Sequence, residues 1–163
     1  MFRKLKNRCK ESKAVILMSP IEGEAVQISE VSDPTFGEEI LGKGFAIHPV
    51  VGRVVAPFDG EITLLFETAH ALTMTSTDGV ELLIHVGLET VGLQGSPFQA
   101  FVSTGDKVRV GTKLLEFDMN VIKEAGCELI TPIVITNSEA YTEIAQIGMG
   151  YVKELNEVMK ISK

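Results

Sequence analysis

Two histidines flank a predicted tight turn in the middle of this sequence. His85 ends the apolar stretch ELLIH, and His70 precedes a second apolar stretch, ALTMT. Asp78 and Gly79 lie between the two stretches. Asp-Gly in that position is typical of a β-hairpin with a type I′ turn, because both central residues of such a turn need positive φ. We therefore expect residues 66–77 and 80–86 to pair as antiparallel strands.

A two-residue loop would also fix the register of this hairpin. Leu72 would then face His85, and His70 would face Gly87. His70 becomes a diagonal neighbour of His85, at about 7–8 Å between Cα atoms, a distance that two imidazoles can span. Further side chains predicted on this face are Phe66, Thr68 and Leu83.

Two imidazoles beside a hydroxyl group and a glycine suit phosphoryl transfer. A histidine that accepts phosphorus on one ring nitrogen must keep its proton on the other, and a backbone carbonyl such as that of Gly87 can fix this tautomer. The second imidazole can donate to the phosphoryl oxygens, and the hydroxyl of Thr68 can orient it. The sequence contains no P-loop and no kinase signature that would bind a nucleotide. The pattern therefore favours transfer of phosphorus between proteins.

Two other functions would use the same segments. A zinc hydrolase could use both histidines, but three protein ligands are expected, and the sequence has neither a His-x-His pair nor an obvious third ligand. Biotinyl and lipoyl carrier domains contain strings similar to residues 56–60 and 105–111, but they display a lysine at a hairpin tip, which Asp78-Gly79 lacks. The third histidine, His48, precedes Pro49 at the end of an apolar run and is interpreted as structural.

The rest of the chain is patterned as short strands. It has 163 residues, of which 45% are hydrophobic and 23% charged, with 15 glycines and no tryptophan, which predicts one soluble domain with many tight turns. SPIEGEAVQI at 19–28 resembles APFDGEITLL at 56–65, so we expect these segments to form equivalent corners of one sheet structure. We predict a helical turn near 36–41, a short helix near 119–126 and a closing strand within 151–161. The fold class is all-β, an antiparallel β-sandwich or flattened barrel with a few short helices.

Charge divides the chain into two parts, a flexible basic tail at 1–14 and the domain at 15–163. Six basic residues and one acid give residues 1–13 a net charge of +5, and because the whole chain carries −7, the remainder carries −12. An acidic body argues against nucleic-acid binding and favours a basic protein partner. The tail could contact an anionic membrane surface weakly.

Cysteine usage and the absence of an export signal predict the compartment. Cys9 and Cys127 match no disulfide framework and no metal-site spacing. The sequence has no apolar stretch near the ~18 residues of a membrane span and no signal-peptide core at its N-terminus. We therefore expect a cytoplasmic monomer with reduced thiols.

Four segments together resemble a known family. APFDGEI, FETAHALTM, GVELLIHVGLETV and GDKVRVGTKLLEFD, in this order, are similar to the glucose-family IIA component of the bacterial phosphoenolpyruvate-dependent sugar phosphotransferase system. The resemblance runs from about Val15 to the C-terminus. It implies a cytosolic β-sandwich phosphocarrier, without cofactor or metal, that receives a phosphoryl group from the protein HPr. The acceptor it implies is a cysteine in the IIB domain of a sugar permease.

The resemblance also implies roles for individual residues. His85 would be phosphorylated, His70 would stabilise the phosphoryl group, and Thr68 and Gly87 would support them. An apolar docking surface with an acidic rim would receive both partners. The apolar residues of this surface are Phe36, Ile40, Leu41, Phe66, Leu83 and Val91, and the rim residues are Asp33 and Glu89.

Overall fold

The computed structural model describes residues 14–93 and 97–163. Within these ranges the chain forms fourteen strands and two short α-helices. The first seven strands are β1 (Val15–Met18), β2 (Gly23–Gln27), β3 (Lys43–Pro49), β4 (Arg53–Val55), β5 (Gly60–Leu65), β6 (Ala71–Ser76) and β7 (Glu81–His85). The other seven are β8 (Phe98–Ala100), β9 (Lys107–Val108), β10 (Lys113–Phe117), β11 (Thr131–Ile135), β12 (Glu143–Gln146), β13 (Gly150–Val152) and β14 (Glu157–Ser162). The helices are α1 (Pro34–Gly37) and α2 (Met119–Glu124), and 3₁₀ turns span Ile28–Glu30, Thr90–Gly92 and Ser138–Ala140.

The strands form one large and two small antiparallel sheets. The large sheet has the order β13-β2-β3-β11-β7-β6-β5-β9, and the small sheets have the orders β1-β14-β12 and β4-β10-β8. The main core lies between them, since alternate side chains of β3, β6, β7 and β11 pack with apolar side chains of β1, β14, β4 and β10. This arrangement confirms the predicted antiparallel β-sandwich.

A second, smaller cluster covers the opposite face of the large sheet. Ala46, Ala71, Leu83 and Val134 point to this side, because neighbouring residues of a strand alternate between faces. Apolar side chains from the 3₁₀ turn at Ile28–Glu30, from α1 and from the segment after β7 complete the cluster. His85 ends β7 on this face, so the cluster is the floor of the candidate site.

The two repeated segments occupy equivalent places, as predicted. β2 and β5 are each second from an edge of the large sheet. The corners that precede them contact each other, because Met18 N–H donates to Pro57 O at 3.1 Å and Val55 N–H donates to Pro20 O at 2.9 Å. The repeat is therefore an internal two-fold relationship.

The loop of the central hairpin differs from the prediction. Ser76 N–H donates to Val80 O at 2.8 Å, and Gly79 N–H donates to Ser76 O at 2.9 Å, so the loop has three residues. Gly79 has φ 93°, whereas Asp78 is not among the residues with positive φ. A type I turn followed by a left-handed glycine needs one residue with positive φ, whereas a type I′ turn needs two. The predicted type I′ turn is therefore wrong, although the hairpin forms.

The longer loop moves the register by one residue. Ala71, rather than Leu72, faces His85, and Met74 faces Leu82. The predicted diagonal relationship between His70 and His85 within the ladder is therefore wrong. Their side chains meet by another route, described below.

The structure also shows the outcome for the predicted short helices and the closing strand. α2 and the closing strand β14 form where they were expected, and the predicted helical turn begins earlier and is shorter, as α1. Within the described part of the chain, no helix is long and apolar enough to cross a membrane. The predicted flexible tail, 1–14, and its membrane contact fall almost entirely on residues 1–13, which lie outside the described residues.

Candidate functional site

His85 is held by a hydrogen bond to a carbonyl two residues further along the chain. Its Nδ1 lies 2.7 Å from Gly87 O. Because a carbonyl oxygen only accepts, Nδ1 carries the proton, and the lone pair of the neutral ring is left on Nε2. This ring is therefore prepared to act as a nucleophile through Nε2.

Gly87 needs to be a glycine in this position. Its φ is 71°, and a Cβ built on it would lie 2.7 Å from Glu128 O and 2.8 Å from Cγ2 of Thr90. A side chain would therefore meet main-chain strain and two close contacts at once. The glycine lets the chain turn back so that its carbonyl reaches His85.

His70 approaches His85 from a bend rather than from a strand. Ala69 has φ 58°, and Ala69 N–H donates to Phe66 O at 2.8 Å, so residues 66–69 form a tight bend before β6 begins at Ala71. His70 lies between that bend and the ladder, and its side chain does not follow the alternation of β6. The bend brings the two imidazoles together despite the shifted register.

The two rings lie close and nearly perpendicular. Their centroids are 4.9 Å apart, with an interplanar angle of 80°. Nδ1 of His70 is hydrogen-bonded to Oγ1 of Thr68. Phe66 contacts the His70 ring edge to face at 5.4 Å, and Phe36 lies 5.2 Å from the His85 ring. The four rings form an apolar setting in which His70 is buried and His85 remains partly exposed.

Burial keeps both imidazoles neutral near pH 7. It lowers the pKa of His70 to about 4, and the neighbouring His85 contributes to the same shift. Burial also lowers the pKa of His85, partly offset by the Gly87 carbonyl and by the negative charge of Asp33. A neutral His85 is the form that can attack phosphorus.

The six apolar residues predicted for the docking surface differ in their exposure to solvent. Phe36 and Leu83 are buried beneath the histidines, and Phe66 is half-buried. Ile40, Leu41 and Val91 are exposed, with 67%, 39% and 57% of their surfaces accessible. Three of the six apolar side chains are therefore free to contact a partner, while Phe36 and Leu83 support the histidines from below.

The two predicted rim acids lie on the segments that flank His85. Asp33 is the N-cap of α1, and its Oδ1 accepts from Thr35 N–H at 2.9 Å. Pro34 at the first helical position and this cap explain why the helix begins here. Glu89 is exposed, with φ 60°, and precedes the 3₁₀ turn at Thr90–Gly92. The third histidine, His48, is exposed on β3 beside a separate cavity of about 450 Å³ and does not join the pair.

Two threonines at the site were not singled out from the sequence. Thr90 and Thr131 are fully buried, and the hydroxyl group of each bonds main-chain atoms around Gly87. Thr90 lies within the same short segment as His85, five residues later, so its position could have drawn attention. Thr131 could not have been found, because its proximity depends on the pairing of β7 with β11.

In the part of the chain that the structure describes, no group of three or more His, Cys, Asp or Glu side chains could hold a metal ion. Among the described residues, the paired histidines therefore have no third ligand beside them, which the alternative function of a zinc hydrolase would require.

Known proteins are similar to this chain over most or nearly all of its length. Residues 15–141 match the family model described as phosphoenolpyruvate-dependent sugar phosphotransferase system, EIIA 1. The PTS system glucose-specific EIIA component of Bacillus cereus is 44% identical over 163 residues, which cover 99% of each chain. The PTS system beta-glucoside-specific EIIBCA component of Bacillus subtilis is 45% identical over 146 residues, which cover 88% of this chain and 24% of that protein.

A solved structure is also similar. Glucose permease IIA from Mycoplasma capricolum has a TM-score of 0.84 and 35% sequence identity, covering 91% of this chain and 96% of that chain. The similarity extends over nearly the full length of both chains.

Proposed function

This chain belongs to the EIIA 1 family of the phosphoenolpyruvate-dependent sugar phosphotransferase system, and we propose that His85 is the residue that carries its phosphoryl group. The chain is a phosphocarrier in sugar uptake, a phosphotransferase component that works through a phosphohistidine. The observation that carries our assignment is the hydrogen bond from His85 Nδ1 to Gly87 O at 2.7 Å. It leaves Nε2 as the free nucleophilic nitrogen.

The donor is HPr and the acceptor is a IIB domain. The name of the Bacillus subtilis relative combines an A component with B and C components in one chain, which supports a IIB domain as the next carrier. In loading, Nε2 of His85 attacks phosphorus, and the bond from phosphorus to the donor imidazole breaks as the new N–P bond forms. In the onward step we propose that a IIB cysteine thiolate takes the phosphoryl group, and the electron pair returns to Nε2.

We assign His70 the role of stabilising the phosphoryl oxygens. If the Thr68 hydroxyl group donates to Nδ1 of His70, the proton of this neutral ring is on Nε2 and can be donated to a phosphoryl oxygen. The low pKa of His70 supports this assignment, because a neutral ring keeps one defined donor. Thr68 is therefore a positioning residue in this proposal.

We propose that both partners dock on the surface around His85. Ile40, Leu41 and Val91 would supply exposed apolar contact, Phe66 would border the histidines, and Phe36 and Leu83 would support them. Asp33 and Glu89 would form the acidic rim, which suits a basic partner surface. We place the reaction in the cytoplasm, where a carrier between a phosphorylated protein and a permease domain would meet both.

The test is phosphorylation in a reconstituted system. The chain is incubated with phosphoenolpyruvate, enzyme I and HPr, and its intact mass is measured. We expect one phosphoryl group on the unaltered chain and on a His48→Ala control, and none on His85→Ala. A His85→Ala protein that still gained mass would contradict the assignment. A zinc hydrolase or a biotinyl carrier would show no gain in any variant.

A further inference from the structure

We propose that Thr90 and Thr131 are positioning residues for this phosphoryl transfer, whose buried hydroxyl groups hold the Val86–Gly87 peptide so that the carbonyl of Gly87, in the next peptide, keeps the proton on Nδ1 of His85. The inference rests on the proposed role of His85.

Thr90 contacts the segment that follows His85 in two ways. Its Oγ1 donates to Val86 O at 2.6 Å. Its Cγ2 lies so close to Gly87 that a Cβ on that residue would be 2.8 Å away. The hydroxyl group therefore fixes the peptide plane before Gly87, and the methyl group limits movement of its Cα.

Thr131 reaches the same segment from β11. Its Oγ1 donates to Leu129 O at 2.9 Å, and this fixes the direction of the hydroxyl hydrogen. The same oxygen accepts from Gly87 N–H at 3.4 Å. The contact is long for a hydrogen bond, so we expect Thr131 to contribute less than Thr90.

Two further main-chain hydrogen bonds hold residues 86–88. We call these two bonds, together with those of Thr90 and Thr131, the clamp. Val86 N–H donates to His70 O at 2.8 Å, and Leu88 N–H donates to Glu128 O at 3.0 Å. The clamp bonds Val86 N–H, Val86 O, Gly87 N–H and Leu88 N–H, and it leaves the Gly87 carbonyl to accept from His85. The threonines therefore hold the Val86–Gly87 peptide, and the bond from Leu88 N–H holds the Gly87–Leu88 peptide, whose carbonyl points at the imidazole.

The burial of both hydroxyl groups argues for a specific role. Thr90 and Thr131 have no accessible surface, and a buried hydroxyl group is costly unless it is bonded. Valine has nearly the same shape and would avoid that cost, and β11 is otherwise apolar in Ile133, Val134 and Ile135. Packing alone would therefore favour valine at these positions.

The clamp matters most when phosphorus bonds to Nε2. The lone pair of Nε2 forms the new N–P bond while the proton stays on Nδ1, so positive charge spreads over the ring. The Gly87 carbonyl accepts from Nδ1–H throughout and stabilises that charge. A carbonyl that turned away would let the neutral ring move its proton to Nε2, which removes the nucleophile.

The experiment compares four substitutions in the full chain. Thr90→Val and Thr131→Val remove a hydroxyl group and keep the shape, and Thr90→Ser keeps the hydroxyl group. Ser19→Ala is the matched control, since Ser19 is equally buried and its Oγ donates to Ile21 O at 2.7 Å, outside the site. For each variant the ¹⁵N shifts of His85 report its tautomer without any phosphoryl donor, and rapid quench with phosphorylated HPr gives kcat and KM.

We expect Thr90→Val to populate the Nε2–H tautomer of His85 and to lower kcat of loading by about 2- to 10-fold, the effect of one hydrogen bond. KM for phosphorylated HPr should change less than kcat, because the substitution alters no exposed side chain of the proposed docking surface. Thr131→Val should act in the same direction more weakly. Thr90→Ser should restore both tautomer and kcat.

Other results would overturn the inference. It fails if Thr90→Val melts earlier but keeps the tautomer and kcat of Ser19→Ala, because the threonine then serves stability alone. If Thr90→Val does not fold, Thr131→Val decides by the same two readouts. Absence of loading in the unaltered chain would instead refute the proposed function, and the tautomer measurement would still judge the clamp.

Discussion

At the scale of single residues, the proposed site has two neutral imidazoles to which we assign different tasks. Nδ1 of His85 is bonded to Gly87 O, and Nδ1 of His70 to the Thr68 hydroxyl group. A carbonyl can only accept, whereas a hydroxyl group can donate, so the two rings can hold their protons differently. This difference suits one ring to attack phosphorus and the other to donate to its oxygens.

Substitution of His70 should separate the two half-reactions. HPr can supply some stabilisation during loading, so His70→Ala should still be phosphorylated, although slowly. In the onward step charge spreads over the equatorial oxygens, and loss of the donor should slow transfer to IIB by about 10²–10³-fold. Rapid quench of each half-reaction measures this. If His70→Ala took up no phosphoryl group while His85→Ala did, the two roles would be reversed.

Gly87→Ala should damage both stability and loading. The left-handed conformation costs a non-glycine residue about 1–2 kcal/mol, and the close contacts with Glu128 O and Thr90 would move the carbonyl. Gly79→Ala is the control, since Gly79 also has positive φ but a Cβ added to it would meet no atom within 4 Å. Chemical denaturation should show a loss in both variants. Loading should slow in Gly87→Ala alone, and equal loading by both would count against the role of the carbonyl.

Acid should weaken the fold through the buried histidines. Their pKa values in the folded chain lie below the usual 6.5, that of His70 at about 4, so the unfolded chain binds more protons between these limits. The free energy of unfolding should therefore fall as pH drops from about 6.5 towards 4, and the histidines should contribute no pH dependence above that window. Denaturation at several pH values, compared between His70→Gln and the control His48→Gln, tests this. A His70→Gln protein with an unchanged slope would contradict it.

At the scale of elements, the sequence predicted the hairpin and the histidine pair but not how they meet. Hydrophobic alternation and Asp78-Gly79 located β6 and β7, because these signals are local. The loop length was wrong, since a type I turn with one left-handed glycine competes with type I′. The positive φ of Ala69, which brings His70 to His85, has no signal in a non-glycine residue. The contact of Thr131 depends on the pairing of β7 with β11 and was equally hidden, whereas Thr90 bonds a residue only four positions away.

Short elements also place the acidic rim. α1 has four residues, yet its cap Asp33 and its buried Phe36 link the helix to His85. Pro34 explains why the helix begins two residues before the predicted turn, because proline suits the first position of a helix. Asp33 is thus both a helix cap and a negative charge that acts on His85.

Charge on the rim should govern the rate of docking. Loading by HPr should slow as salt rises, since the Debye length is about 8 Å at physiological ionic strength. Asp33→Asn keeps a good cap and removes the charge, and Glu89→Gln removes the second charge. Both variants should load more slowly at low salt and depend less on salt, whereas the control Glu143→Gln on β12 should behave like the unaltered chain. Stopped-flow rates that were flat with salt in the unaltered chain would contradict steering.

At the scale of the whole molecule, the site occupies one half of an internal repeat. Gly23 pairs with Pro49 and Gly60 pairs with Ser76, so β3 corresponds to β6 and, through the registers that follow, β11 corresponds to β7. Ile133 and Ile84 then correspond, and they pair with each other at the centre of the sheet.

The equivalent of His85 in the other half is Val134, which lies in the apolar cluster below the site. One half of the repeat therefore supplies both histidines of the proposed site, whereas the apolar floor combines Ala46 and Val134 of the other half with Ala71 and Leu83 of the same half. Composition and pattern predicted the sandwich because both halves follow the same alternation. They could not indicate how the halves combine, since that depends on the central pairing.

Removal of residues 1–13 should leave the sandwich and its chemistry intact. β1 begins at Val15, which pairs with Ile161, and the core residues that the structure describes lie at or beyond this strand. The truncated chain should therefore melt within about 2 °C of the full chain in calorimetry, a change of about 1 kcal/mol at most. Loading by HPr should be equal, and any loss should appear only in transfer to a membrane-embedded IIB, not to a soluble IIB domain. A full-length variant with the six basic residues changed to glutamine separates charge from length. A truncated chain that melted much earlier would show that this segment packs on the sheet.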